Sequence, residues 1–260
     1  FTDLGTSNCG GVDACLRASN NVNLFNKFYI LNSAGFASGL SVTTPSYTNC
    51  AVIPDVYGFS NKSSMAVGAD GRIGIAFISD SSGDVSYMEL QEDGTISVSP
   101  YKIFDSFVDP DNTFTGAFLS ISLTFSGNTP NVVFDVAKQN TTGSFYPKEP
   151  AGIRFWSPLL PGSNPNKSKY IARNDSSGSY PAYIPFYKAY GNDVLTSICR
   201  PSIGVMSNLS YMAVVFMSST PNTKIKNSDT ISYNSLYITY SSNNGLSWRR
   251  PERITPDELI

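Results

Sequence analysis

Apolar and polar residues alternate along this chain in short runs, and turns rich in Gly, Asn and Ser separate the runs. In Ser235-Leu-Tyr-Ile-Thr-Tyr240, Leu236, Ile238 and Tyr240 fall on one face and Tyr237 and Thr239 on the other. That is the period of a half-buried strand. The same pattern predicts a four-stranded meander over residues 64–103. Its runs are Ser64–Gly71, Arg72–Ser79, Asp84–Leu90 and Thr95–Ile103, with Asp-Gly and Ser-Ser-Gly at the turns. A second set runs through Leu119–Phe125, Asn131–Ala137, Gly152–Trp156 and Ser168–Ala172. A third takes in Pro201–Met206, Tyr211–Met217 and the strands either side of residues 241–248. Helical periodicity is hard to find.

The repeat is irregular. Taking Gly39, Gly94, Gly162 and Gly245 as equivalent turns between third and fourth strands gives spacings of 55, 68 and 83 residues. Segments 104–118, 138–150, 173–198 and 218–234 then become insertions, rich in Pro, Ser, Asn and Tyr as surface loops are. Lys27–Leu31 and Leu40–Thr43 are read as the outer strands of an earlier unit. Antiparallel four-stranded units in series predict an all-β, β-propeller-like fold of three to four blades over residues 1–260, and a β-sandwich is the alternative.

Residues 241–248, Ser-Ser-Asn-Asn-Gly-Leu-Ser-Trp, add a specific motif. Asn243-Asn244-Gly245 can supply the positive backbone angles of a tight hairpin, and Trp248 can pack beneath it. The octapeptide resembles the Asp-box of sialidases and related β-propellers: Ser/Thr, any, Asp, any, Gly, any, Ser/Thr, Trp. Ser241, Gly245, Ser247 and Trp248 match, and Asn243 stands where the family has Asp. An Asn oxygen can still accept a turn N–H. The resemblance covers roughly residues 26–255, and only this last unit carries the motif.

A sialidase site would further imply three converging Arg, a Tyr nucleophile with its Glu, an Asp acid/base and an Arg-Ile-Pro motif. Here Arg-Ile occurs as Arg72-Ile-Gly and Arg253-Ile-Thr, neither followed by Pro. Arg154, Arg249, Arg250 and Arg253 fall on third or fourth strands, and Arg72 begins a second strand. Only Arg200, just before an inner strand, is placed to face a central pocket. The chain has no His, which removes His-based acid–base chemistry and the Ser-His-Asp triad. The expectation is therefore a module without catalytic residues.

Composition narrows the setting. Charged residues make up 15%, against roughly 25% in soluble domains. The net charge of −2, with no basic cluster beyond Arg249-Arg250, gives nucleic-acid binding no support. No apolar run approaches the roughly 18 residues of a membrane span. The four Cys, at positions 9, 15, 50 and 199, form no Cys-x-x-Cys pair and suit two disulfides, expected as Cys9–Cys15 and Cys50–Cys199. The second bond would clamp ring closure. The start at Phe1 without a leader fits a processed secreted protein or a piece of a longer one. Five Asn-x-Ser/Thr sequons, at Asn61, Asn140, Asn166, Asn174 and Asn208, match what composition alone gives.

Two loops are candidates for binding. Residues 180–190 carry Tyr180, Tyr183, Phe186, Tyr187 and Tyr190, rings that can stack on sugars or partner proteins or cover the core. Asp109-Pro-Asp111 brings oxygen ligands together and suggests either an ordinary turn or Ca²⁺; no other cofactor or metal is indicated. The leading expectation is a secreted or cell-surface module for adhesion, glycan or protein binding, or extracellular assembly. A sialidase-type glycoside hydrolase and a structural subunit that homo-oligomerises into a polymer are the alternatives.

Overall fold

A computed structural model describes residues 14–18, 28–33, 39–43, 50–54, 59–79, 81–91, 95–139, 149–174, 184, 196–206, 210–226 and 229–255, with side chains from residue 62 onward except in 221–233. These residues form seventeen strands in four antiparallel sheets. The first sheet holds β1 (Ala14–Ala18), β2 (Phe28–Ser33), β3 (Gly39–Thr43) and β4 (Cys50–Pro54). The second holds β5 (Phe59–Val67), β6 (Ile73–Ser79), β7 (Val85–Leu90) and β8 (Ile96–Phe104). The third holds β9 (Phe107–Val108), β10 (Phe114–Ser126), β11 (Thr129–Gln139), β12 (Ala151–Trp156) and β13 (Lys169–Arg173). The fourth holds β14 (Ile198–Val205), β15 (Met212–Lys226), β16 (Asp229–Ser241) and β17 (Glu252–Arg253). Each is a meander whose neighbours in sequence are neighbours in space. The fold is all-β and propeller-like, as the alternation implied, with no helix among the described residues of 60–103 and 201–255.

Two expectations are corrected. Lys27–Leu31 and Leu40–Thr43 correspond to β2 and β3, the central pair of the first sheet rather than its outer strands, so Gly39 opens a third strand instead of following one. β1 and β4 flank them, five residues each and without the alternation of apolar and polar residues by which a strand is read. Residues 218–234 are not a loop either. β15 and β16 stay paired to Lys226↔Asp229 across an irregularity after Ser219. Thr and Ile, residues that favour strands, recur there and suit a ladder.

The second, third and fourth sheets pack face to face in chain order, because the central strands are apolar on both faces. On β11, Val132, Phe134 and Val136 meet Ala76, Ile78, Val85 and Tyr87 of the second sheet. Val133 and Ala137 point the other way, into a cluster with Ile198, Val214 and Phe216 of the fourth. Each fully buried Val, Ile or Phe contributes roughly 1.5–3 kcal/mol. Trp156 sits at the heart of the first interface, 5.4 Å from the Tyr87 ring and 6.2 Å from the Tyr101 ring, and its Nε1–H donates to Asn164 Oδ1 at 2.8 Å.

Strand order sets two different ends. Turns between first and second, and third and fourth, strands emerge at one end. Links between second and third strands, and from sheet to sheet, emerge at the other. The connections from β11 to β12 and from β13 to β14, and the extended β15–β16 hairpin, belong to this second end.

Candidate functional site

The innermost strands β5, β10 and β14 lie side by side, and each carries a β-bulge near its start, at the end with the sheet-to-sheet connections. The register shifts fall between Phe59 and Ser63, Ala117 and Ile121, and Cys199 and Ser202. A bulge leaves residues outside the ladder and re-aims their side chains. Lys62 of β5, Phe118, Leu119 and Ser120 of β10, and Arg200 of β14 are the residues re-aimed here.

Asp135 holds two of these bulges. It stands opposite the β10 bulge on β11 and is 1% exposed. Oδ1 accepts the N–H groups of Leu119 (2.7 Å) and Ser120 (3.1 Å). Oδ2 accepts the Ser120 hydroxyl (3.3 Å) and, from the neighbouring sheet, the Arg200 N–H (3.2 Å). Bulges free backbone donors from the ladder, and buried donors need acceptors. Burial pushes the Asp135 carboxyl above the usual carboxylate range, and the N–H donors of Leu119, Ser120 and Arg200 oppose that shift. Serines add lighter ties between inner strands. Ser64 Oγ accepts the Leu123 N–H at 3.0 Å, and Ser122 Oγ accepts the Ile203 N–H at 3.4 Å.

Arg200 is exposed, with φ of 55° in the left-handed region that non-glycine residues rarely adopt. Its backbone is held by Asp135, and its guanidinium has no ion-pair partner among the described residues. Ser202 and Gly204 follow it on the exposed side of β14. Across β10, the Lys62 ammonium lies 5.1 Å from the Phe118 ring centroid, and Phe118 leans on the apolar cluster between the third and fourth sheets. Thus two cations flank β10, one set by an aromatic ring and one by a buried carboxylate.

Other candidates resolve differently. Cys199, beside Arg200, is a buried free thiol. Burial and then the Asp135 charge push it up to about 12. The expected Cys50–Cys199 bond is not formed, since Cys199 is a free thiol buried near the start of β14, with Thr196 hydrogen-bonded to it. Cys9 and the side chains of Cys15 and Cys50 lie outside the described residues, as do Tyr180, Tyr183, Phe186, Tyr187 and Tyr190. Within that aromatic stretch Ile184 is buried, and its N–H donates to the Arg173 carbonyl at 2.8 Å. In the acidic loop, Asp111 faces Lys138 Nζ at 2.6 Å, which holds its carboxyl well below the usual range, and Asp109 accepts the Thr115 hydroxyl at 2.9 Å. Asn174, one of the five sequons, is fully buried and accepts the Ala151 N–H at 2.8 Å.

The octapeptide forms the turn between β16 and β17, at the opposite end. Ser241 Oγ accepts the Gly245 N–H at 2.9 Å, and Asn243 Oδ1 accepts the Ser247 N–H at 2.8 Å. Asn243 Nδ2 donates to Ser247 Oγ at 2.8 Å, a bond the Asp of the family pattern would receive rather than give. Trp248 donates to the Gly245 carbonyl and meets Phe155 of the third sheet edge-on at 5.1 Å. Gly245 has φ of 79°, and a Cβ there would lie 2.3 Å from the Phe155 ring.

Several of the other arginines are engaged elsewhere. Arg154 lies over the rings of Phe104 (5.1 Å) and Tyr170 (4.5 Å), Arg72 pairs with Asp70 and Glu89, and Arg249 lies over Tyr240. The sequence singled out Arg200 and missed Asp135, Lys62 and Phe118. Asp135 did leave a signal: a lone acid inside the apolar run Asn131–Ala137.

No protein-family model matches the chain, and no curated protein matches it. Among solved structures, an ulvan lyase of a polysaccharide lyase family aligns over 94% of this chain with a TM-score of 0.55 and 11% identity. This chain spans 58% of that lyase's length. A thermostable family-43 glycoside hydrolase aligns over 96% of this chain and 78% of its own at a TM-score of 0.44 and 12% identity. A Bacillus subtilis arabinanase aligns over 92% and 75% at 0.39 and 13%. The likeness to the lyase is one of fold alone.

Proposed function

We propose that this protein is a non-catalytic glycan-binding module, displayed outside the cell or at its surface, that binds through the bulge end of its inner strands. The observation that carries the reading is Arg200: an exposed cation on an innermost strand, with a rare backbone conformation locked by a fully buried acid. Strain of this kind is retained where the surroundings over-determine it, and it clusters at ligand sites. The ulvan lyase likeness and the hairpin at 241–248, which suits sialidase-like propellers, both support a carbohydrate role.

Binding without turnover is supported by how several of the described acids at this end are used. Glycoside hydrolysis needs two carboxyl groups open to the sugar, about 5–9.5 Å apart. Asp135 is sealed by four donors. Asp84 is met by Lys102 at 2.8 Å and by the Ser106 N–H, and Asp111 by Lys138. The chain also has no His to act as general base.

The test is a glycan microarray followed by calorimetry, run beside reducing-end and unsaturated-product assays on every glycan bound. Saturable binding without product is the expected result, with Arg200→Ala weakening it about tenfold, the scale of one charge-assisted contact. Product formation abolished by Arg200→Ala would instead establish an enzyme. Binding to no glycan would end the carbohydrate reading.

A further inference from the structure

Resting on that glycan-binding reading, we propose that the ligand is an anionic glycan, bearing carboxylate or sulfate groups, which bridges Lys62 and Arg200 across the face of β10. Three independent features converge on this. The two cations sit on bulges of the strands either side of β10, so the same departure from ladder geometry, used twice, brings positive charge to one end of the inner strands. Each is held by its own device. The Phe118 ring steadies the Lys62 ammonium, and Asp135 fixes the Arg200 backbone. Third, hydroxyl-bearing residues lie between them: Ser122 is half-buried on β10 and Ser202 is exposed on β14.

A hydroxyl-lined strip with a cation at each side fits a chain that alternates sugar hydroxyls with regularly spaced negative groups. A guanidinium presents a planar fork to carboxylate or sulfate, and an ammonium a compact point charge. Several acids nearby are already matched: Asp84 and Asp105 both reach Lys102, at 2.8 and 2.9 Å, and Asp111 reaches Lys138. Asp135 is a positioning residue here. Its oxygens are consumed by backbone donors and the Ser120 hydroxyl, and its influence on a ligand passes through Arg200.

The experiment measures binding of the purified full chain to four probes: polygalacturonate, its methyl ester, dextran sulfate and unmodified dextran, each at low and high salt. Expected are affinity for one or both anionic polymers, at least tenfold below that for the neutral counterpart in dissociation constant, and weakening with salt as screened charges require. Preference between polygalacturonate and dextran sulfate identifies the anionic group. Lys62→Ala and Arg200→Ala should each cost about tenfold, and the double variant more. Asp135→Asn should weaken binding, whereas Asn243→Ala, which loosens the opposite end, should leave affinity unchanged. That contrast separates positioning from a general loss of stability. Equal binding of neutral and anionic polymers would overturn the anionic inference while sparing the glycan reading. Binding of none of the four, with an array likewise blank, would sink both.

Discussion

The two ends of the sheets solve the same problem by opposite means. At the turn end, Ser241, Asn243 and Ser247 close an eight-residue hairpin with their own side chains, and Trp248 caps it against Phe155 of the next sheet. Donors and acceptors there are matched over a span of a few residues. At the bulge end the matching is long-range. Asp135 accepts donors from 16 and 65 residues away and ties together strands that the ladders alone would leave separate. Local satisfaction yields a rigid finish to a sheet. Long-range satisfaction fixes irregular backbone beside an exposed cation, the condition for a binding surface with little reorganisation to undergo.

The contrast can be broken most forcefully at Gly245. Replacing it with Ala combines a left-handed φ with a Cβ placed inside the Phe155 ring. The loss should exceed about 3 kcal/mol, combining backbone strain with overpacking. Chemical denaturation of Gly245→Ala would read it, and a loss under about 1 kcal/mol would show that the hairpin is not seated on the third sheet. Asp135→Asn comes next. An amide keeps one acceptor and turns the other towards a donor, so either the Arg200 N–H or the β10 donors lose their partner. A loss of about 1–3 kcal/mol is expected from one orphaned buried group. Amide exchange should accelerate at residues 119–120 and 200 ahead of the rest of the chain, and uniform acceleration would argue against a local tie.

These two sites also mark what could be read beforehand. The hairpin was legible because everything it needs lies within eight consecutive residues, down to the glycine that the left-handed turn requires. The alternation of the second to fourth sheets was legible for the same reason. The bulges were not, since a bulge depends on which strand lies opposite: Phe118 fell in the expected insertion 104–118 and Lys62 ahead of the first run, and they meet only when β5 and β10 are set side by side. The disulfide expected between Cys50 and Cys199 failed on similar grounds. It assumed a closed ring that sets the first and last units side by side, a matter of tertiary arrangement, and Cys199 is instead a buried free thiol.

The smallest effect sharpens the comparison at the turn end. Asn243→Asp restores the acid of the Asp-box pattern and exchanges a given hydrogen bond to Ser247 Oγ for a received one. Because the serine hydroxyl can reverse, stability should change by less than about 0.5 kcal/mol, the range of surface substitutions that preserve their partners. A thermal shift of several degrees in either direction would show that the amide hydrogens matter in themselves.

The free thiol of Cys199 gives the bulge end a clock of its own. Thiolates, not thiols, react with alkylating reagents, and burial keeps this sulfur almost wholly protonated at neutral pH. Labelling can proceed only in the intervals when β14 parts from Asp135. The reaction rate thus counts how often the fourth sheet breathes away from the third. A ligand that clamps Arg200 would slow the count, turning a single native sulfur into a gauge of occupancy that needs no tag.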